Sequence, residues 1–300
     1  MANIVLILGE SGTGKSTSLR NFASDDVAYV NVSGKALPFR NTFTDTLVST
    51  DYTAISRFIK GTDRKVIVVD DAQYIMAFQY MHRIRENGWD KFNDIQNDFF
   101  KIIEDAKGLA EDKIVYFLSH IETKEDGRQK IKTIGKMLDE KITIEGMFTI
   151  VLKTYVADGK YYFVTQNSGN DTVKSPIDMF TSITIDNDLK YVTEKIRNYY
   201  HMAGSKSDAE MAVDDKAVAG DVVPDEKPKR SRRRKAQESK ETADAPAEVA
   251  PAQESKGESE SDNAVSEPAT AEPPAEAPAE KPTRRRRKVR TEIPDDDIPF

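Results

Sequence analysis

Residues 9–16 read Gly-Glu-Ser-Gly-Thr-Gly-Lys-Ser. This is the pattern G-x-x-x-x-G-K-[ST], in which each residue type has a mechanical use. Gly9, Gly12 and Gly14 let the backbone turn tightly enough for its N–H groups to face phosphate oxygens. Lys15 can reach β- and γ-phosphates as the catalytic cation, and the Ser16 hydroxyl can ligate Mg²⁺. The expected nucleotide-binding residues are therefore Gly9, Glu10, Ser11, Gly12, Thr13, Gly14, Lys15, Ser16 and Thr17. A helix starting near Lys15 would add its positive N-terminal dipole.

A second pattern fits the first. Val66-Ile67-Val68-Val69 runs into Asp70-Asp71. An Asp at the tip of a buried strand can hold Mg²⁺, and a carboxylate one residue later can deprotonate an attacking water. Asp70 is assigned to the metal and Asp71 to the base; taken alone, such an ending also suits a solvated turn. The third pattern is Ile114–Leu118 followed by Ser119-His120. At the edge of such a sheet, His120 or Ser119 can sense a γ-phosphate, or His120 can simply face water.

These groups need strands behind them. Apolar runs predict strands over 3–8, 27–32, 65–70, 113–119, 147–155, 160–165 and 182–186. Helices are expected over 15–23, 52–60, 72–108, 134–141 and 189–200. The alternation predicts an α/β fold with a mainly parallel sheet and helices on both faces. Ala157-Asp158-Gly159 reads as a hairpin turn, which would make the later strands antiparallel additions at one edge. After His120, Lys124, Arg128, Lys130, Lys132 and Lys136 alternate with acids. That stretch suits either a grip on single-stranded nucleic acid or a solvated loop. Lys174 reads either as a surface lysine or as a finger into a neighbouring subunit's site.

Composition divides the 300 residues. Residues 1–203 hold 26 Lys+Arg and 28 Asp+Glu and nearly all the aromatics, while residues 204–300 hold 18 and 23 with Phe300 as their sole aromatic. The second segment cannot bury enough apolar surface to offset its ordering entropy, so it reads as a disordered tail after a 1–203 core. No cysteine is present, which excludes disulfides and thiolate metal sites and leaves the cytosol as the expected compartment. No apolar run approaches membrane-spanning length, so no membrane role is expected.

Gly-Glu-Ser-Gly-Thr-Gly-Lys-Ser-Thr at 9–17, Val-Val-Asp-Asp-Ala-Gln at 68–73, Leu-Ser-His at 118–120 and Thr-Ile-Gly-Lys-Met-Leu at 133–138 resemble the phage-type RecA-core ATPases of the AAA family. Some of those are single-strand annealing recombinases. The resemblance covers roughly residues 1–200. It implies a RecA-like P-loop core, ATP and Mg²⁺ as cofactors, single-stranded DNA as a partner and a homo-oligomer, in bacterial or phage-infected cytosol.

The tail carries two basic clusters, 227–235 and 284–290, and repeats Ala-Gln-Glu-Ser-Lys at 236–240 and 252–256. Flexible basic blocks bind nucleic acid by counterion release. The terminal Asp295-Asp296-Asp297-Ile298-Pro299-Phe300 resembles the tip of bacterial single-stranded DNA-binding protein, SSB. In that family the tip recruits replication, recombination and repair enzymes: the aromatic end fills an apolar pocket and the acids meet a basic rim. The sequence thus predicts a DNA-dependent ATPase that uses SSB-type partners. Two further readings are a nucleotide-gated interaction module with little turnover and a small-molecule P-loop kinase. The kinase reading lacks an evident Arg-rich lid.

Overall fold

The computed structural model describes residues 1–135, 138 and 141–220. The two basic clusters, the terminal residues 295–300, Lys136 and half of the expected 134–141 helix lie outside the described residues.

The strands are β1 (Asn3–Gly9), β2 (Val27–Asn31), β3 (Asp45–Val48), β4 (Val66–Asp70), β5 (Ile114–Thr123), β6 (Gln129–Ile131), β7 (Ile150–Ala157), β8 (Lys160–Val164), β9 (Thr184–Asp186) and β10 (Ala219–Gly220). The helices are α1 (Tyr52–Gly61), α2 (Tyr74–His82), α3 (Asp90–Lys107), α4 (Leu189–Tyr199) and α5 (Asp208–Val218). One sheet runs β10-β9-β8-β7-β1-β5-β4-β2-β3, with β6 pairing β5 off that path. From β7 to β3 the strands are parallel. The β8, β9 and β10 pairings are antiparallel, so the later strands do extend one edge.

The strands read as continuous apolar runs because both faces are covered. Leu6, Leu8, Ile67, Val69, Val115 and Phe117 face a core closed by α1, α2 and α3. Val5, Ile7, Val66, Val68, Tyr116 and Leu118 face a second core closed by α4, α5 and the segment around Leu19 and Phe22. Each side chain taken fully from water in this way contributes about 1.5–3 kcal/mol.

Four expectations change. The helix over 15–23 is only a 3₁₀ turn, Ser16–Leu19. Its hydroxyls compete with helical hydrogen bonding, since Ser18 Oγ donates to Lys15 O at 2.5 Å, and Ala23 N is taken by Asp26 Oδ2 at 2.9 Å. A four-residue turn supplies no helix macrodipole. The 72–108 helix is two helices, interrupted where Gly88 adopts φ 94°. Strands β3, β6 and β10 are additional. Finally, ordered structure passes residue 203: α5 buries Met211, and Asp215 accepts hydrogen bonds from Tyr191 Oη (2.7 Å) and Lys195 Nζ (2.5 Å).

Candidate functional site

The site arises from strand order. Strand β5 lies between β1 and β4, so Gly9 stands beside His120 and Val69 beside Phe117. At the carboxyl ends of these strands a cleft of about 320 Å³ is lined by residues that include Gly12, Lys15, Ser16, Asp70, Asp71 and His120. The three patterns separated in sequence therefore share one concavity, at the sheet edge where ligands sit in open α/β folds.

The 10–15 loop is pinned by side chains. Thr13 Oγ1 donates to Glu10 O at 2.8 Å and lies 2.6 Å from Thr154 Oγ1 on β7. A Cβ on Gly9 would fall 1.8 Å from Thr154 Oγ1, an approach only glycine permits. Gly14 has φ +98°, and a Cβ there would fall 2.8 Å from the Tyr161 ring. Lys15 is buried, and its Nζ donates to Gly9 O at 3.1 Å and Glu10 O at 2.8 Å. Burial lowers its pKa, while Asp71 and Asp70 oppose the shift.

Asp70 ends β4 almost fully buried. Tyr29 Oη donates to its Oδ2 at 2.8 Å, whereas Oδ1 has no hydrogen-bond partner. Burial raises its pKa, and the neighbouring Ser16 and Tyr29 hydroxyls oppose that. An orphaned buried carboxylate oxygen beside a hydroxyl fits Mg²⁺. No cluster of three or more His, Cys, Asp or Glu side chains suited to a metal occurs among the described residues. Mg²⁺ does not demand one: it is held through one or two carboxylates, with phosphates and waters completing its octahedron.

Asp71 takes φ 57°, the left-handed region. Its Oδ2 meets Lys35 Nζ at 3.1 Å and its Oδ1 meets His120 Nε2 at 3.3 Å. Burial would raise its pKa, but His120, Lys35 and Ser33 outweigh that and hold the carboxyl well below the usual range. So acidic a carboxylate, with both oxygens engaged, is a weak proton acceptor as it stands. His120 is also fixed through its backbone, whose N–H donates to Gln73 Oε1 at 3.1 Å, and its ring packs edge-on to Tyr74. Ser119, the other sensor candidate, is fully buried and does not line the cleft.

Lys35 escaped the sequence reading. Its loop is built by Asn31, whose Oδ1 accepts from Gly34 N at 2.9 Å and whose Nδ2 donates to Lys35 O at 2.7 Å. Asn31 stands opposite Asp70 in the β2–β4 register, which delivers Lys35 to the cleft. The readable signal was Asn31-x-x-Gly34, a side-chain-clamped turn at a strand end.

The polar stretch after His120 is a hairpin. β5 continues past the sheet to Thr123, turns at Gly127 and returns as β6, and Lys132 N bonds His120 O at 2.9 Å. Arg128 pairs with Asp126 at 2.8 Å and Lys130 with Glu122 at 2.9 Å. Half-buried Lys174 pairs through its backbone with Val151, beside β7.

No family model matches the chain, and no curated protein matches it.

Proposed function

We propose that this chain is a RecA-like P-loop ATPase that binds Mg²⁺–ATP on residues 9–17 and acts on single-stranded DNA in recombination, replication or repair. The observation that carries this is the position of β5 between β1 and β4, which gathers Lys15, Ser16, Asp70, Asp71 and His120 in one cleft. Backbone amides of the loop and Lys15 would receive the phosphates, with Lys15 leaving its carbonyl partners to do so. Ser16 and Asp70 would hold Mg²⁺, which supplies charge neutralisation at the β- and γ-phosphates. Asp71 would orient or deprotonate the attacking water once released by Lys35 and His120. His120 would relay γ-phosphate contact into the β5–β6 hairpin, which leaves the sheet directly after it.

Two surfaces support the DNA component. The hairpin carries Lys124, Lys132 and Arg128, the last exposed and paired with Asp126, while Lys130 lies largely buried against Glu122. The α2–α3 connection carries Trp89, 80% exposed, and in the same segment Arg85 and Arg83, the latter paired with Glu86 and Asp94. An aromatic with cations nearby suits base stacking along a phosphate backbone. By resemblance, residues 295–300 would recruit SSB-type partners, and the core would assemble as a homo-oligomer in bacterial or phage-infected cytosol. Among the described residues no helix is long and apolar enough to cross a membrane.

One observation favours the second reading, a nucleotide-gated module with little turnover. The carboxylates lining the cleft are Asp70 and Asp71, and both oxygens of Asp71 are engaged, one by Lys35 and one by the His120 ring. ATP hydrolysis with and without single-stranded DNA separates the two. Stimulation by DNA that disappears in Lys15→Ala is expected of the ATPase; ATP binding without hydrolysis in either condition would leave only the gated module.

A further inference from the structure

We propose that Lys35 is a second phosphate-binding lysine that selects nucleoside triphosphate over diphosphate, and that Asp71 is the positioning residue that holds it ready. The inference rests on the nucleotide reading of the cleft and adds to it the residue that would sense the third phosphate.

Four observations converge. Lys35 lines the same cleft as Lys15 and Gly12. Its ammonium lies 3.1 Å from Asp71 Oδ2 and 5.2 Å from the Tyr74 ring centroid, so a carboxylate and an aromatic face together fix where it points. Its backbone is fixed as well, through the Asn31 clamp at Gly34 N and Lys35 O. Yet its side chain is 65% exposed, against 9% for Asp71. The ammonium reaches Asp71 from the open side of the cleft and stays mostly solvated, so passing it to a more highly charged anion in the same cleft costs it little desolvation. Asp71, in contrast, cannot follow: it is buried, its backbone sits at φ 57°, and His120 holds its other oxygen.

A triphosphate laid along the 9–17 loop brings its terminal oxygens toward the Asp70–Asp71 end of the cleft. Lys35 then exchanges one anionic partner, Asp71, for another, the γ-phosphate, and no covalent bond changes. A diphosphate ends short of that exchange and leaves Lys35 on Asp71. The pattern is thus a charge relay from nucleotide to the β2 loop, separate from the route through His120 into the β5–β6 hairpin.

The test is equilibrium binding of fluorescent N-methylanthraniloyl ATP and ADP, with Mg²⁺, to the full chain and to Lys15→Ala, Lys35→Ala, Lys35→Gln and Lys35→Arg. The exposed side chain makes these Lys35 variants compatible with the fold, which circular dichroism would check. Loss of a charge-assisted phosphate contact predicts about tenfold or more weaker ATP binding in Lys35→Ala and Lys35→Gln, with ADP affinity changed by less than about twofold and Lys35→Arg close to wild type. Equal losses for ATP and ADP, or no loss, would overturn the role of Lys35 and leave the nucleotide site standing, provided Lys15→Ala weakens both. Failure of the wild type to bind either nucleotide would remove the underlying reading and this inference together.

Discussion

At Gly9 a hydrogen atom is all the space allows, because Thr154 on the neighbouring strand supplies the hydroxyl that ties down Thr13. Gly9→Ala should therefore destabilise the protein by about 1–3 kcal/mol through overpacking. Removing the obstructing hydroxyl should return part of that loss, so Gly9→Ala/Thr154→Ala should cost less than the sum of the single changes. Chemical denaturation of the four proteins measures the coupling; additive costs would mean that the two residues do not meet. Residues of this kind were legible as motif glycines, since a phosphate loop demands them locally. Lys35 was not, because nothing in its neighbourhood in sequence shows that Asp71 lies beside it. That depends on the register of β2 against β4, a long-range property. Asp71 itself was placed correctly at the strand end, but its engagement by Lys35 and His120 depends on side chains from two other elements.

Between elements, the sheet face under α1 and α3 is locked by one polar group. Asp105 on α3 accepts hydrogen bonds from Ser56 Oγ at 2.5 Å and Tyr52 Oη at 3.3 Å, and pairs with Lys60 Nζ at 2.8 Å, all on α1. Burial pushes the Asp105 pKa up, but Lys60, Ser56 and Tyr52 together bring it below its ordinary value. A depressed folded-state pKa stabilises the fold above the unfolded value near ~3.9, and that stabilisation is lost as pH falls through the folded value. Lys60 is half exposed, so solvent screening reduces what its ion pair contributes to stability. Asp105→Ala is expected to cost about 1–2 kcal/mol at neutral pH and less at acid pH, by urea denaturation. An equal cost at pH 3 and pH 7 would contradict this account. The strands were readable because a doubly covered parallel strand has no polar side to obscure its run. The 3₁₀ turn at 16–19 was misread as a longer helix because apolar spacing at Leu19 and Phe22 suits both. The break between α2 and α3 was overlooked although Asn87-Gly88 is a turn signal.

Across the whole molecule, the boundary of the folded unit is the main revision. Polar, Ala-rich composition hid α5, although Ser207 and Glu210 form a capping box that was visible as S-x-x-E. Its helix covers the core through Met211, and β10 extends the sheet beyond β9. A chain ending at residue 203 should unfold several degrees lower than one ending at 220, since it loses a buried Met and the Asp215 contacts. Coincident melting would show α5 to be dispensable.

The central claim, that the Lys15 cleft is a nucleotide site, is tested most directly by calorimetric titration of Mg²⁺–ATP into the wild-type protein and Lys15→Ala. The account predicts saturable binding by the wild type and at least about tenfold weaker binding by Lys15→Ala. No binding by the wild type, or equal binding by both proteins, would contradict it.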